Sequence, residues 1–190
     1  MISRTPYRIS AFGGGSDYPV WLKKHNGIVI STTIDKFLYV SVRKYPSFFG
    51  IKHRIVWSHV ENVTSYEEIL HPVVRAALPF CGIQDGVEIH YQGDLPSKAG
   101  MGSSSSFTVG LLNALHTYKG EHLGKEELAR EAIQLEQDIL KEAVGCQDQV
   151  AAAYGGMNEI RFSSVGFEVE KLNIDIEELG ELFVAYCYRL

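Results

Sequence analysis

The 190-residue sequence is 45% apolar and 22% charged, the balance of a folded globular chain and unlike a disordered one. A formal net charge of -5 with no basic block disfavours a nucleic-acid partner, because neutralising phosphates takes clustered Lys and Arg. No window approaches the roughly 18 consecutive apolar residues of a membrane span, "MISRTPYRIS" lacks an apolar signal core, and Cys81, Cys146 and Cys187 lack metal-ligand spacing, so the expectation is a reduced, cytoplasmic protein with no membrane partner.

The first half reads as strand-rich. "YRISAF" alternates, "GIVISTTI" and "KFLYVSVRKY" are two β-branched and aromatic runs with Asp35 as the turn between them, and "HRIVWSHV" is a further strand. "TSYEEILHPVVRAALPFCG" reads as a helix capped by Ser65, with Glu67 and Glu68 in its first turn, Gly82 at its end, and two prolines in its interior. "GVEIHYQG" is a half-buried strand presenting Val87, Ile89 and Tyr91. A helix then opens at the serines of "SFTVGLLNALHTY", and "KEELAREAIQLEQDILKEA" is a second. "QDQVAAAY" is a short helix ending at Gly155-Gly156, "MNEIRF" and "GFEVEKL" form a hairpin, and "ELFVAYCYRL" is a last strand. Strands followed by clustered helices predict an α+β fold.

"PSKAGMGSSSS" is either a flexible linker with a serine cap or a backbone cradle for a phosphate. A helix start leaves N–H groups unsatisfied and carries partial positive charge, glycine lets an anion approach closely, and serine can touch a phosphate or ligate Mg2+. No Lys follows the second glycine as a Walker A loop requires, and Ser105 stands where a dinucleotide fingerprint needs its third glycine.

Three other places bear on the choice. Glu136 shares a helical stripe with Ala129, Ile133 and Leu140, beside the apolar stripe Leu128, Ala132, Leu135 and Ile139; it is either a core-edge residue or a Mg2+ ligand. Asp148, at the start of the alanine-rich helix, is either a first-turn acid or a base that accepts a hydroxyl proton. "FGGGSDYP" is either a hairpin in which Asp17 caps the next helix, or a close-approach site where Gly14 and Gly15 admit a small molecule and Ser16 and Asp17 bond its hydroxyls.

Taken in order, these segments resemble the GHMP kinases, the superfamily of galactokinase, homoserine kinase, mevalonate kinase and phosphomevalonate kinase. "PSKAGMGSSSS" is similar to their P-x-x-x-G-[LM]-G-S-S-[AS] loop, "GCQDQVAAAYGG" to the segment that carries their catalytic aspartate, and "PYRISAFGGGSDYP" to the first motif of the sugar-kinase branch, nearest to heptose 7-phosphate kinases and fucokinase-like enzymes. The resemblance implies a ribosomal protein S5 domain 2-like fold and ATP and Mg2+ as cofactors. Pro96, Gly100, Met101, Gly102, Ser103, Ser104 and Ser105 then form the phosphate loop, with Ser104 and Glu136 on the metal. Asp148 is the general base, Arg8 lies near the attacking hydroxyl, and Gly14, Gly15, Ser16 and Asp17 hold the acceptor.

The implied reaction moves the γ-phosphate of ATP to a sugar hydroxyl, the anomeric one of a heptose 7-phosphate or a related sugar. Arg4, Lys23, Lys24, Lys36 and Arg43 are candidates for a distal phosphate or a solvated surface. The family continues into a C-terminal subdomain with a third, glycine-rich motif that has no counterpart after Asp148. The expected organisation is therefore an N-terminal domain over 1–180, the first strand of a second domain over 181–190, and the rest missing. A non-catalytic nucleotide-binding remnant and a kinase of a non-sugar alcohol such as mevalonate are the alternatives, and the oligomeric state is left open.

Overall fold

A computed structural model describes residues 1–46, 50–96, 100–174 and Gly180. The strand expected over 181–190, and Ser97, Lys98 and Ala99 of the glycine-serine segment, lie outside the described residues.

Strand β1 (Ile2–Phe12) runs antiparallel to β2 (Gly27–Lys44), an 18-residue strand that organises the whole sheet. Residues 38–44 of β2 pair with β5 (Val87–Gly93) and residues 27–32 with β6 (Met157–Ser163), both antiparallel. Because β1 pairs with β2 across both stretches, β5 and β6 share the opposite edge of β2. β3 (His53–Val56) lies parallel to β5 and forms a hairpin with β4 (Val60–Val63), and β7 (Gly166–Lys171) closes the other end against β6.

Four predicted boundaries are corrected. The two runs around Asp35 are one strand, not two: Pro6 opposes Phe37 while Arg8 opposes Thr33, so β2 carries two extra residues here. Asp35, a poor strand former, therefore sits at a bulge, which bends a strand without ending it. "HRIVWSHV" is the hairpin β3–β4, turning at Trp57–His59, where the Trp57 N–H donates to the His59 carbonyl. The helix expected from Ser65 is a 3-10 turn (Tyr66–Glu68) followed by α2 (Pro72–Phe80), because Pro72 is an N1 residue that begins a helix well and forces residue 71 out of it. The second long helix is α-helical only as α4 (Lys125–Ile133) and continues as a π-helix over Gln134–Ile139. The wider π turn moves the next residues round the axis, so Ile139 is 45% exposed and Leu140 packs on the core instead.

The helix at the serines is α3 (Ser103–Lys119), buried nearly all round at its centre. The short helix is α5 (Gln147–Tyr154), and a four-residue helix, α1 (Pro19–Leu22), follows the glycine triplet. One core joins the inner sheet face (Tyr7, Leu38, Val40, Val42, Ile89) to α2 and α3; a second gathers Val29, Ala129, Val150, Ile160 and Phe162. The start of α3 is wedged by rings: Phe107 lies 4.9 Å from Tyr91 and 4.8 Å from His71, which in turn contacts Trp57. Among the described residues no helix is long and apolar enough to cross a membrane.

α3 reaches the sheet through Gly110, where an added Cβ would stand 2.6 Å from Thr5 Oγ1. Alanine is the better helix former by about 1 kcal/mol, yet here the steric term should win. Gly110→Ala is expected to lose about 1–3 kcal/mol, read as a lower Tm in thermal unfolding; a variant as stable as the parent would contradict the close contact.

Candidate active site

Five segments meet at a cavity of about 190 Å3, whose lining includes Arg8, Asp17, Ser104, Ser105, Glu136 and Asp148. Arg8 is delivered by β1, just past the β1–β2 register shift. Its guanidinium holds Asp148 through two bonds, Nε to Oδ1 at 2.8 Å and Nη2 to Oδ2 at 2.6 Å. This is the bidentate, charge-assisted geometry that fixes both partners. Arg8 also stitches the glycine-serine loop to the sheet, donating from its backbone to Met101 O (3.3 Å) and from Nη1 to Gly100 O (3.5 Å).

Gly102 is the N-cap of α3 at φ +70°, and a Cβ there would press on both Arg8 and Asp148 at 3.1–3.3 Å. Glycine is thus required twice, for the backbone conformation and for the space. With no cap side chain, the first N–H groups of α3, from Ser103 to Ser105, have no intrahelical partner. Ser104 is exposed and lines the cavity, whereas the Ser105 hydroxyl is buried and donates to Glu136 Oε2 at 3.0 Å. Pro96 is exposed and is not part of the cavity wall.

Glu136 sits in the π turn and is only 1% exposed. Oε2 also accepts from Gln149 Nε2, while Oε1 is buried without a hydrogen-bond partner. Burial pushes the Glu136 carboxyl above its ordinary value, against the hydrogen bonds of Thr108, Gln149 and Ser105; the nearby Glu142 pushes the same way.

The glycine triplet makes a tight loop. Gly13 (φ +82°) packs against the Ile28 carbonyl, and the Ser16 hydroxyl donates to Gly13 O at 2.7 Å. Gly14 and Gly15 are exposed. Asp17 does not cap α1, whose N-cap is Tyr18 with no side-chain bond. It is instead fully buried, accepting from Gly15 N (3.2 Å), from Gln147 N at the start of α5 (2.9 Å) and from Gln147 Nε2 (3.1 Å). Gly145 lies directly on its carboxylate, where a side chain would not fit.

Of the residues picked from the sequence, Arg8, Asp17, Ser104, Ser105, Glu136 and Asp148 line one cavity, whereas Gly14, Gly15, Ser16 and Ser103 are not in its wall, and Gln147 and Gln149 were missed. These flank Asp148 in the first turn of α5. Gln147 accepts from Ser10 Oγ (2.6 Å) and donates to Asp17, while Gln149 donates to Glu136. The signal was present as "CQDQV", two amides on an otherwise alanine-rich helix. Of the basic residues considered for a distal phosphate, Arg4 lies over the Phe37 ring and Arg43 pairs with Glu88. Lys23 lines a separate cavity of about 490 Å3 between α1, α4 and the β6–β7 turn. That cavity is larger, but Arg8, Ser104, Ser105, Glu136 and Asp148 are not in its wall; these candidate residues gather at the smaller one.

Residues 68–156 match the family model described as GHMP kinases N terminal domain. That stretch resembles a GHMP kinase N-terminal domain. It is 26% identical over 172 residues to the D-glycero-alpha-D-manno-heptose 7-phosphate kinase of Campylobacter jejuni, covering 84% of this chain and 50% of that relative. Against the galactokinase of Pyrococcus furiosus it is 27% identical over 167 residues, covering 84% of this chain and 45% of that relative. A crystal structure of a D-glycero-D-manno-heptose 1-phosphate kinase from Bacteroides thetaiotaomicron superposes with a TM-score of 0.81 at 24% identity, covering 92% of this chain and 60% of that chain, a likeness of fold. The α+β GHMP architecture expected from the sequence is therefore the one observed. The chain spans about half the length of the curated relatives it matches.

Glu136 and Ser104, among the described residues, are chemically suited to a divalent cation. Among the described residues no group of three or more His, Cys, Asp and Glu side chains is placed to hold a metal by itself. Mg2+, however, takes one or two protein ligands and fills the rest of its shell with phosphate and water. The unpartnered Glu136 Oε1 is a buried anionic ligand of that kind, and Ser104 lines the same cavity.

The raised Glu136 carboxyl has a stability consequence. A carboxyl with a higher pKa folded than unfolded binds its proton more tightly in the folded state. Its contribution is therefore complete below the ordinary value of 4.5 and is lost as pH rises through the folded value. In chelator, Glu136→Gln should melt above the parent at pH 8, and the gap should close as the pH falls towards 4.5. Equal Tm at both pH values would refute the buried, metal-free carboxylate.

Proposed function

We propose that this domain is the nucleotide- and acceptor-binding half of an ATP-dependent sugar kinase. The acceptor is the anomeric hydroxyl of a heptose 7-phosphate or a related sugar. The observation that carries this reading is the meeting of the Arg8–Asp148 pair, the open start of α3 and the unpartnered Glu136 Oε1 around one cavity. The likeness to heptose phosphate kinase and galactokinase supports the choice of a sugar over mevalonate.

In this reading the N–H groups of Ser103, Ser104 and Ser105 and the helix dipole receive the β- and γ-phosphates. Ser104 and Glu136 would hold Mg2+, which when bound would supply positive charge to the phosphates. Asp148 accepts the hydroxyl proton. Its carboxylate already takes two donors from Arg8, which orients it. An anomeric hydroxyl, more acidic than an ordinary alcohol, suits a carboxylate base. Arg8 faces the oxygen as negative charge grows on it, so positioning and electrostatics supply most of the acceleration. Gly14 and Gly15 let the acceptor approach the backbone, and Ser16 and Asp17 flank it.

ATP consumption measured against hexoses, heptose 7-phosphates, homoserine and mevalonate tests the substrate class, and turnover confined to mevalonate would overturn the sugar assignment. In whatever form is active, Asp148→Asn should lower kcat roughly 100- to 10,000-fold with KM for ATP little changed; near-parental turnover would remove Asp148 as the base. Calorimetric titration of the 190-residue chain with MgATP checks the nucleotide site separately, and no binding there would count against the whole reading.

A further inference from the structure

Gln149 is 0% exposed, although glutamine is mostly a surface residue, and its neighbours Val150 and Ala151 are buried. Leu or Met would fill the position without an unpaired polar atom; Gln149 leaves its own Oε1 without a partner. Its amide does one thing, which is to donate to Glu136 Oε2. Ser105 donates to the same oxygen from the opposite side of the cluster, from α3. Thr108, which also faces the carboxylate, has its hydroxyl directed to Ser104 O at 3.2 Å. Two donors on two helices therefore converge on one oxygen of Glu136, and the other has none.

We propose that Gln149 is a positioning residue that locks the rotation of the Glu136 carboxylate, so that Oε1 alone is offered to a divalent cation. This rests on the reading of Glu136 as a metal ligand. Without the Gln149 amide, only the rotatable hydroxyls of Ser105 and Thr108 remain beside it, and the carboxylate can turn about its Cγ–Cδ bond and exchange its two oxygens. The ion then meets a ligand that must be ordered before it can bind. Outer-sphere partners of this kind commonly change metal affinity by about 10- to 100-fold when removed.

The test is a Mn2+ titration of the 190-residue chain, followed by electron paramagnetic resonance, with a non-hydrolysable ATP analogue present. Gln149→Leu should melt at or above the parent and bind the analogue equally well without metal. It should bind Mn2+ about tenfold more weakly. Mn2+ affinity within about twofold of the parent in that variant overturns the positioning role. Glu136→Gln separates this proposal from the one beneath it. If it weakens Mn2+ binding while Gln149→Leu does not, only the positioning role fails. If it leaves Mn2+ affinity unchanged, or if the parent binds no Mn2+, the metal-ligand reading fails and the positioning role falls with it. Should Gln149→Leu not fold, Gln149→Met removes the same donor in a more adaptable side chain and is read by the same criteria.

Discussion

A guanidinium that meets a carboxylate through two parallel bonds fixes distance, plane and rotation at once, and the pair Arg8–Asp148 uses that geometry to join the first strand to the last helix before the β6–β7 hairpin. The two residues are 140 positions apart in sequence, so the pair exists only when β1, α3 and α5 are all in place. Gly102 lies against both partners, and the same arginine bonds the carbonyls of Gly100 and Met101. The conformation of the glycine-serine loop is thus set from the sheet side. Such a loop needs an outside template, because its own glycines favour no one conformation.

The first turn of α5 extends this arrangement. Three successive residues each reach a different segment: Gln147 the glycine-triplet loop through Asp17, Asp148 the first strand through Arg8, and Gln149 the π turn through Glu136. A helix is stiff over one turn, so these partners are held at fixed separations. A displacement of any one of them strains the other two. The cost is concentrated at Glu136, a carboxylate taken out of water with no counter-charge beside it, which is why its proton is held more tightly than usual.

What the sequence made legible was largely local. The start of α3, the extent of α5 and the β6–β7 hairpin follow from caps, periodicity and glycines within a few residues. Two of the misreadings share a cause, a partner far away in the chain. Asp35 looks like a turn until β1 is laid beside it and supplies the ladder that carries β2 past a bulge. Asp17 looks like a cap for the adjacent helix, but the donors that reach it come from Gln147. Glu136 could be assigned to an inward stripe, since Leu135 and Glu136 are both buried, but α-helical spacing gave no hint that a π turn follows and sends Ile139 outward. The grouping of Arg8, Glu136 and Asp148 came from the order of motifs; their geometry came from packing.

The charge of the cavity bears on how a polyphosphate would approach it. Among the described residues that line it, Asp17, Glu136, Glu142 and Asp148 stand with one cation, Arg8, which is already paired. The charge on these lining side chains would therefore repel ATP. Against this stand dipoles that carry no net charge, namely the unpaired N–H groups at the start of α3, and a cation held by Glu136 would add positive charge. In the reading proposed here, nucleotide and metal bind as one unit, since each removes the electrostatic obstacle to the other. It also gives the acidic lining a use. With the phosphates neutralised at one end, the carboxylate lone pairs not already engaged by Arg8 or Gln147 can accept from hydroxyl groups, and a neutral polyol end is the kind of acceptor that supplies many of them.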